Sequence, residues 1–274
     1  MQKRFFSSLA LSLSLNLLIK PISVLVIDAG VQRVLGNEVY GQYFVLLTLT
    51  LVFNIFLDLG INNFTTRYIA QDESQLNQHV SRVFYLRLIL FLCYAISVFG
   101  TARLINIAPS QYMLLSLLVL NQFLIQSIAF IRSLFAGLHL FKTDTFISVL
   151  DRALLILIMG SGLLFSIPSI TINNFVLAQT ACYFGTFLLA SWLIRNQIKS
   201  IIPVFDAVYI IDIFKRSAPY ALLVLLMLLY NRSDVVLLKQ IAQDGNSKLA
   251  EIESNKDANF DDMVKHVVST ILKA

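Results

Sequence analysis

Apolar runs of about 20 residues, the length that crosses a bilayer's hydrocarbon core as a helix, recur along most of this chain with short polar breaks between them. Such a run has few structural options. With no water to take its backbone hydrogen bonds it must satisfy them itself, and the α-helix does so within one segment. The length rule gives about seven candidate spans, at 5–28, 40–63, 83–106, 111–137, 145–166, 170–194 and 218–242. The sequence therefore predicts an all-α fold, a polytopic transmembrane helical bundle. Connections such as Gln32 to Glu38 and Ser166 to Thr171 are short, which makes consecutive helices antiparallel neighbours.

Composition rules out a soluble reading of the same pattern. Hydrophobic residues make up 57% of the chain and charged ones 14%, with a mean hydropathy of +0.76, against roughly 25% charged in ordinary soluble chains. The net charge of +5 would suggest nucleic acid in a soluble protein; in a membrane protein it reports orientation, so no nucleic-acid partner is expected. Ahead of the last expected span, Lys3, Arg4, Arg67, Arg82, Lys142, Arg195, Lys199, Lys215 and Arg216 fall on one side and only Arg33 and Arg103 on the other; the tail, with Lys248, Lys256, Lys265 and Lys273, would fall outside and is the one segment that does not support this topology. By the positive-inside rule the amino terminus is cytoplasmic. No small-x-small cleavage site follows the first apolar run, so it reads as an uncleaved helix.

Motifs for covalent chemistry are missing from the sequence. It has no Gly-x-Ser-x-Gly, no Walker-type loop and no His-Glu-x-x-His. Cys93 and Cys182 lie inside apolar runs without a Cys-x-x-Cys or a neighbouring His, and read as packing residues. No enzymatic activity, cofactor or metal is expected. His79 reads as a solvated loop residue and His139 as an interfacial one.

The informative residues are the polar ones inside apolar runs, because burying them in lipid is unfavourable and they normally face a protein interior or a watery cavity. In the first span Asn16 and Lys20 are four apart, hence on one face, and Pro21 removes a backbone donor beside Lys20. In the second, Asn54, Asp58 and Asn62 recur every fourth residue as a stripe that should face the bundle, where Lys20 or another cation can reach it. Two readings are open for this set: hydrogen bonding between helices for assembly alone, or the wall of a polar cavity. Arg87 and Arg132 read as arginines that extend to the cytoplasmic interface. Arg152, next to Asp151, sits deeper. In the seventh span Arg232 and Asp234 point apart on a helix and need partners on other helices.

Several segments resemble one transporter superfamily. Asn16-Leu-Leu-Ile-Lys-Pro21, Asp28-Ala-Gly-Val-Gln-Arg-Val-Leu-Gly36, Tyr40-Gly-Gln-Tyr-Phe44, Leu57-Asp-Leu-Gly-Ile-Asn-Asn-Phe-Thr-Thr-Arg67 and Tyr230-Asn-Arg-Ser-Asp234 together resemble bacterial polysaccharide flippases of the multidrug/oligosaccharidyl-lipid/polysaccharide exporter superfamily, over about residues 1–243. The resemblance implies the amino-terminal lobe of such a transporter. It implies movement of a polyprenyl-pyrophosphate-linked oligosaccharide across the bacterial inner membrane in O-antigen or capsule synthesis. It also implies a central cationic cavity for the anionic carrier head, with Lys20 in the first-helix basic position and Arg232 where the second lobe starts; the other polar residues inside apolar runs, Asn16, Asn54, Asp58, Arg152 and Asp234, are the further candidate binding residues.

On this basis the expected organisation is a six-helix lobe over 1–216, the first helix of a second lobe over 217–243, and a polar tail with a short amphipathic helix over 244–274. A rocking mechanism uses two bundles about a shared site, so the chain is expected to work as a partial carrier, with a second transporter half or a second copy of itself. Three other functions stay open. A cation-coupled multidrug exporter would lean on a membrane carboxylate such as Asp58. A glycolipid polymerase or ligase would need larger outer loops than this sequence has. A non-catalytic membrane subunit is the third.

Overall fold

The computed structural model describes residues 14–19, 21–164, 171–198, 206, 208–222 and 226. The chain divides into two compact units, residues 1–222 and 223–274, and the helices below all belong to the first. Lys20, Arg232, Asp234, the tail and most of the seventh expected span lie outside the described residues.

Among the described residues all regular structure is helical. The first helix, α1, is Ser14–Leu35 and contains a wider π-helical turn at Ser23–Asp28, just past Pro21. Then come α2 (Asn37–Val52), α3 (Ile55–Asp58), α4 (Ile61–Gln71), α5 (Leu76–Leu104), α6 (Tyr112–Gly137), α7 (Phe141–Leu164) and α8 (Ile172–Arg195), followed by α9 at 208–222. Among the described residues 4 helices are long and apolar enough to cross a membrane, corresponding to α1, α5, α6 and α8; the pair α2 and α3–α4, bent by 41°, makes a fifth if taken as one span. That is fewer than the expected seven. The two expected spans outside these five are the fifth, where α7 is 24 residues long with Asp151 and Arg152 inside the expected stretch, and the seventh, which lies mostly outside the described residues.

The surface is inverted relative to a soluble protein. Leu25 is 72% exposed, Ile96 71%, Leu157 69% and Trp192 63%. A belt of such side chains is stable only where lipid covers it. The fold class read from the sequence, a helical membrane bundle, is the one observed.

Two apolar clusters form the interior. One gathers Ile61, Ile69, Val83, Leu86, Leu134, Phe135 and Ile194, the other Ile27, Val31, Leu46, Tyr94, Leu115 and Phe175. Helix α6 runs through both, and on it Asn121 and Gln122 fall between Val119 of the second cluster and Leu124 of the first. Close approach of α4 to α6 depends on Gly137, where an added Cβ would lie 2.8 Å from the Cβ of Ile69. The Thr66 hydroxyl donates across the same contact to the Ser133 carbonyl at 3.2 Å. Small residues at such a crossing let backbones meet without an apolar solvent effect to drive them.

One end of the bundle is closed by α9, whose Ile210 and Ile213 join the first cluster. The Tyr209 hydroxyl meets His79 Nδ1 at 2.8 Å, and the other ring nitrogen lies 2.9 Å from the Thr65 hydroxyl. Arg82 sits over the Tyr209 ring and 3.5 Å from Asp206, while Arg67 donates to the Tyr220 hydroxyl at 3.1 Å. Burial pushes the Tyr209 hydroxyl above the usual tyrosine range. His79, expected in a solvated loop, is fully buried. The polar start of α5 looked solvated in the sequence because α9, far along the chain, is what covers it.

Candidate functional site

The second expected span is not one straight helix. It breaks at Phe53–Asn54 and again at Leu59–Gly60, where Leu59 and Gly60 adopt left-handed conformations at φ 45° and φ 78°. Each break interrupts the regular helical ladder. Because water is scarce at membrane depth, the freed groups need partners within the protein, which turn bonds such as Phe56 N–H to the Phe53 carbonyl at 3.0 Å provide in part. Asp58 supplies part of the remedy, its Oδ1 accepting from the Asn62 backbone N–H at 2.9 Å.

Around these breaks the polar residues of α3–α4 form a bonded network with α5 and α6. Gln126 donates from Nε2 to Asn54 Oδ1 at 3.2 Å and accepts at Oε1 from Asn62 Nδ2 at 3.5 Å. Arg87 donates to Asn62 Oδ1 at 3.3 Å and to the Gln126 carbonyl, with its guanidinium over the Phe130 ring. It is also the cation within electrostatic reach of Asp58. The stripe of Asn54, Asp58 and Asn62 thus faces the bundle as expected, though across two breaks. Arg87 corrects an expectation: it is buried and serves this network instead of extending to the interface. Arg132 pairs with Asp144 at 2.7 Å and keeps its side chain 34% exposed.

Beside the network lies a cavity of about 630 Å³, lined by parts of α1, α2, α6, α7 and α8 as well as Asn54. Its polar wall consists of Asp28, Gln32, Asn54, Asn121, Gln122, Arg152 and Gln179, with the rings of Tyr40, Tyr43 and Tyr183 between them. The π-helical turn in α1 ends on Asp28. Asp28 and Arg152 are in electrostatic reach of each other, and Arg152 Nε is also 3.7 Å from Asp151. Tyr43 and Gln179 stand close together on this wall. The amide of Asn121 is different: it is 3% exposed, and neither its nitrogen nor its oxygen has a hydrogen-bond partner.

The structure thus brings Asn54 and Arg152 to the cavity wall and places Asp58 beside it in the network. Asn16 is elsewhere, its Nδ2 donating to Ser148 Oγ on α7 at 3.2 Å, a bond between helices. Sequence reasoning did not single out Asp28, Tyr40, Tyr43, Asn121, Gln122, Gln179 or Tyr183 as binding candidates. The visible signal was the adjacent amides Asn121-Gln122 inside a long apolar run.

An apolar helical exterior around a charged and amide-lined interior defines a multi-pass membrane protein whose polar chemistry is held inside. The family model described as polysaccharide biosynthesis protein matches residues 7–251, and the chain belongs to that family. No curated protein and no solved structure was found to match the chain.

Proposed function

We propose that this protein transports a polyprenyl-pyrophosphate-linked oligosaccharide from the cytoplasmic to the periplasmic leaflet of the bacterial inner membrane, with its amino terminus in the cytoplasm. The observation that carries this reading is the cavity. Its volume of about 630 Å³ falls in the range of ligand sites, and a wall with a carboxylate, a guanidinium and several amides is unfavourable within a bilayer unless it serves a polar cargo. Membership of a polysaccharide biosynthesis family favours a glycan over the drugs carried by multidrug exporters.

In this reading Asn54 and Arg152 contact cargo, Asp58 holds the broken helix in shape, and Asn16 fastens α1 to α7. Lys20, Arg232 and Asp234 are proposed to act at the carrier's pyrophosphate and its surroundings. The described bundle acts as one lobe and rocks against a second one, supplied by a partner half or another copy.

The test is complementation of a flippase-deficient strain, scored by surface glycan, with this chain expressed together with its candidate second lobe and membrane insertion verified. Arg152→Gln should lower surface glycan at least tenfold at equal membrane abundance. Normal surface glycan from that variant would remove Arg152 from the site and, with it, the cavity from the transport path.

A further inference from the structure

We infer that the cavity inside the bundle is a site for an uncharged sugar unit, separate from wherever the anionic carrier head is held; the choice of a sugar rests on the transport reading above. Among the described residues each arginine near the cavity already has a carboxylate beside it. Arg152 lies 3.7 Å from Asp151 and within reach of Asp28, and Arg132, on the wall of an adjoining cavity of about 190 Å³, is 2.7 Å from Asp144. A pyrophosphate needs cations that are not neutralised in this way. Among the described residues the wall offers it none.

What the wall does offer is Asn121. Its amide is buried with both a donor and an acceptor unused, a state that disfavours folding unless something fills it. A ligand that satisfies it must accept from the nitrogen and donate to the oxygen, and sugar hydroxyls do both at once. Gln122 and Asn54 widen the same polar strip, and Tyr40, Tyr43 and Tyr183 place ring surface around it. Amides for the hydroxyls and rings for the C–H faces of a pyranose are the two recognition elements a neutral sugar requires. Lipid acyl chains would leave the Asn121 amide as unsatisfied as before, a simple cation would satisfy only its oxygen, and water would satisfy both but has no apolar face for the rings to cover.

Binding is measured on the full chain purified in deuterated detergent, by saturation-transfer NMR with methyl glycosides of a neutral hexose, an N-acetylhexosamine and a 6-deoxyhexose as probes. Inorganic pyrophosphate is followed separately by its ³¹P line width. At least one glycoside should receive saturation at its ring protons, and Asn121→Leu should reduce that signal at least tenfold while the melting temperature stays at or above that of the parent chain. Asn121→Ser gives the same reading if the leucine variant inserts poorly. Three results overturn the inference: no glycoside receives saturation, the signal survives loss of the Asn121 amide, or only pyrophosphate binds and its binding disappears in Arg152→Gln. Because this assay needs no transport, a sugar signal lost in Asn121→Leu alongside unaltered export in every cavity variant keeps the sugar site and removes the flippase reading. Export that depends on Arg152 with no glycoside signal does the reverse.

Discussion

The two polar regions inside this bundle lie side by side and are built on opposite terms. In the network of Asn54, Asp58, Asn62, Arg87 and Gln126, groups from α3, α4, α5 and α6 bond to one another. In the cavity next to it, the Asn121 amide is left without a partner and about 630 Å³ separates the facing side chains. Asn54 belongs to both. A closed network in a low-dielectric interior fixes the positions of helices, whereas an open one is prepared for something to enter. The difference separates residues that shape the bundle from residues proposed to meet cargo.

Substitution in the network should therefore be felt as stability. The largest effect is expected for Arg87→Leu, which strands Asp58 at membrane depth and removes the donors to Asn62 and Gln126. Hydrogen bonds to a charged group contribute about 1.5–3 kcal/mol, so the loss of these donors is readable as a lower midpoint in denaturant unfolding of the purified protein. Adding Asp58→Asn should recover part of the loss, since both charges then go. A loss under about 1 kcal/mol, at the level of an exposed pair, would dissolve the contrast between network and cavity.

Gly60→Ala should come next. The residue sits at φ +78°, and an added Cβ would lie 2.5 Å from the Ala221 nitrogen, so strain and a steric shift act together, on the order of 1–3 kcal/mol. Unchanged unfolding would show that the break relaxes freely and is not clamped by α9. The smallest effect is expected for Asn16→Ala. Hydrogen bonds between membrane helices average about 0.6 kcal/mol, so its midpoint should barely move, and export should persist. Lost export at full stability would move Asn16 from fastening α1 to touching cargo.

How much of this was legible depended on whether the signal was local. The helices, the inward stripe at Asn54, Asp58 and Asn62, and the depth of Arg152 all followed from spacing within one segment. Arg87 did not. Hydropathy starts the third apolar run at 83, but the helix begins at Leu76, so Arg87 sits about three turns in and not near an interface. The polar start, His79 included, is buried by α9, and sequence proximity could not reveal that pairing. The breaks at Phe53–Asn54 and Leu59–Gly60 were hidden because Asn54, Asp58 and Asn62 keep helical spacing across them. Tyr40 and Tyr43 carried a family resemblance without disclosing that they face Asp28 and Arg152, since a cavity among five helices has no signature in any one of them.

The π-helical turn at Ser23–Asp28 has a consequence for motion. A turn of this kind holds one residue more than an α-turn, and each residue of an α-helix accounts for about 100° of rotation. If the wide turn slides along α1, every residue it passes is rotated by that amount relative to the rest of the helix, while the hydrogen-bond ladder is rewritten locally and the ends stay where they are. Asp28 is the last residue of the turn and stands on the cavity wall. A shift of the turn by one residue would thus re-aim the Asp28 carboxylate relative to the cavity without any helix having to tilt.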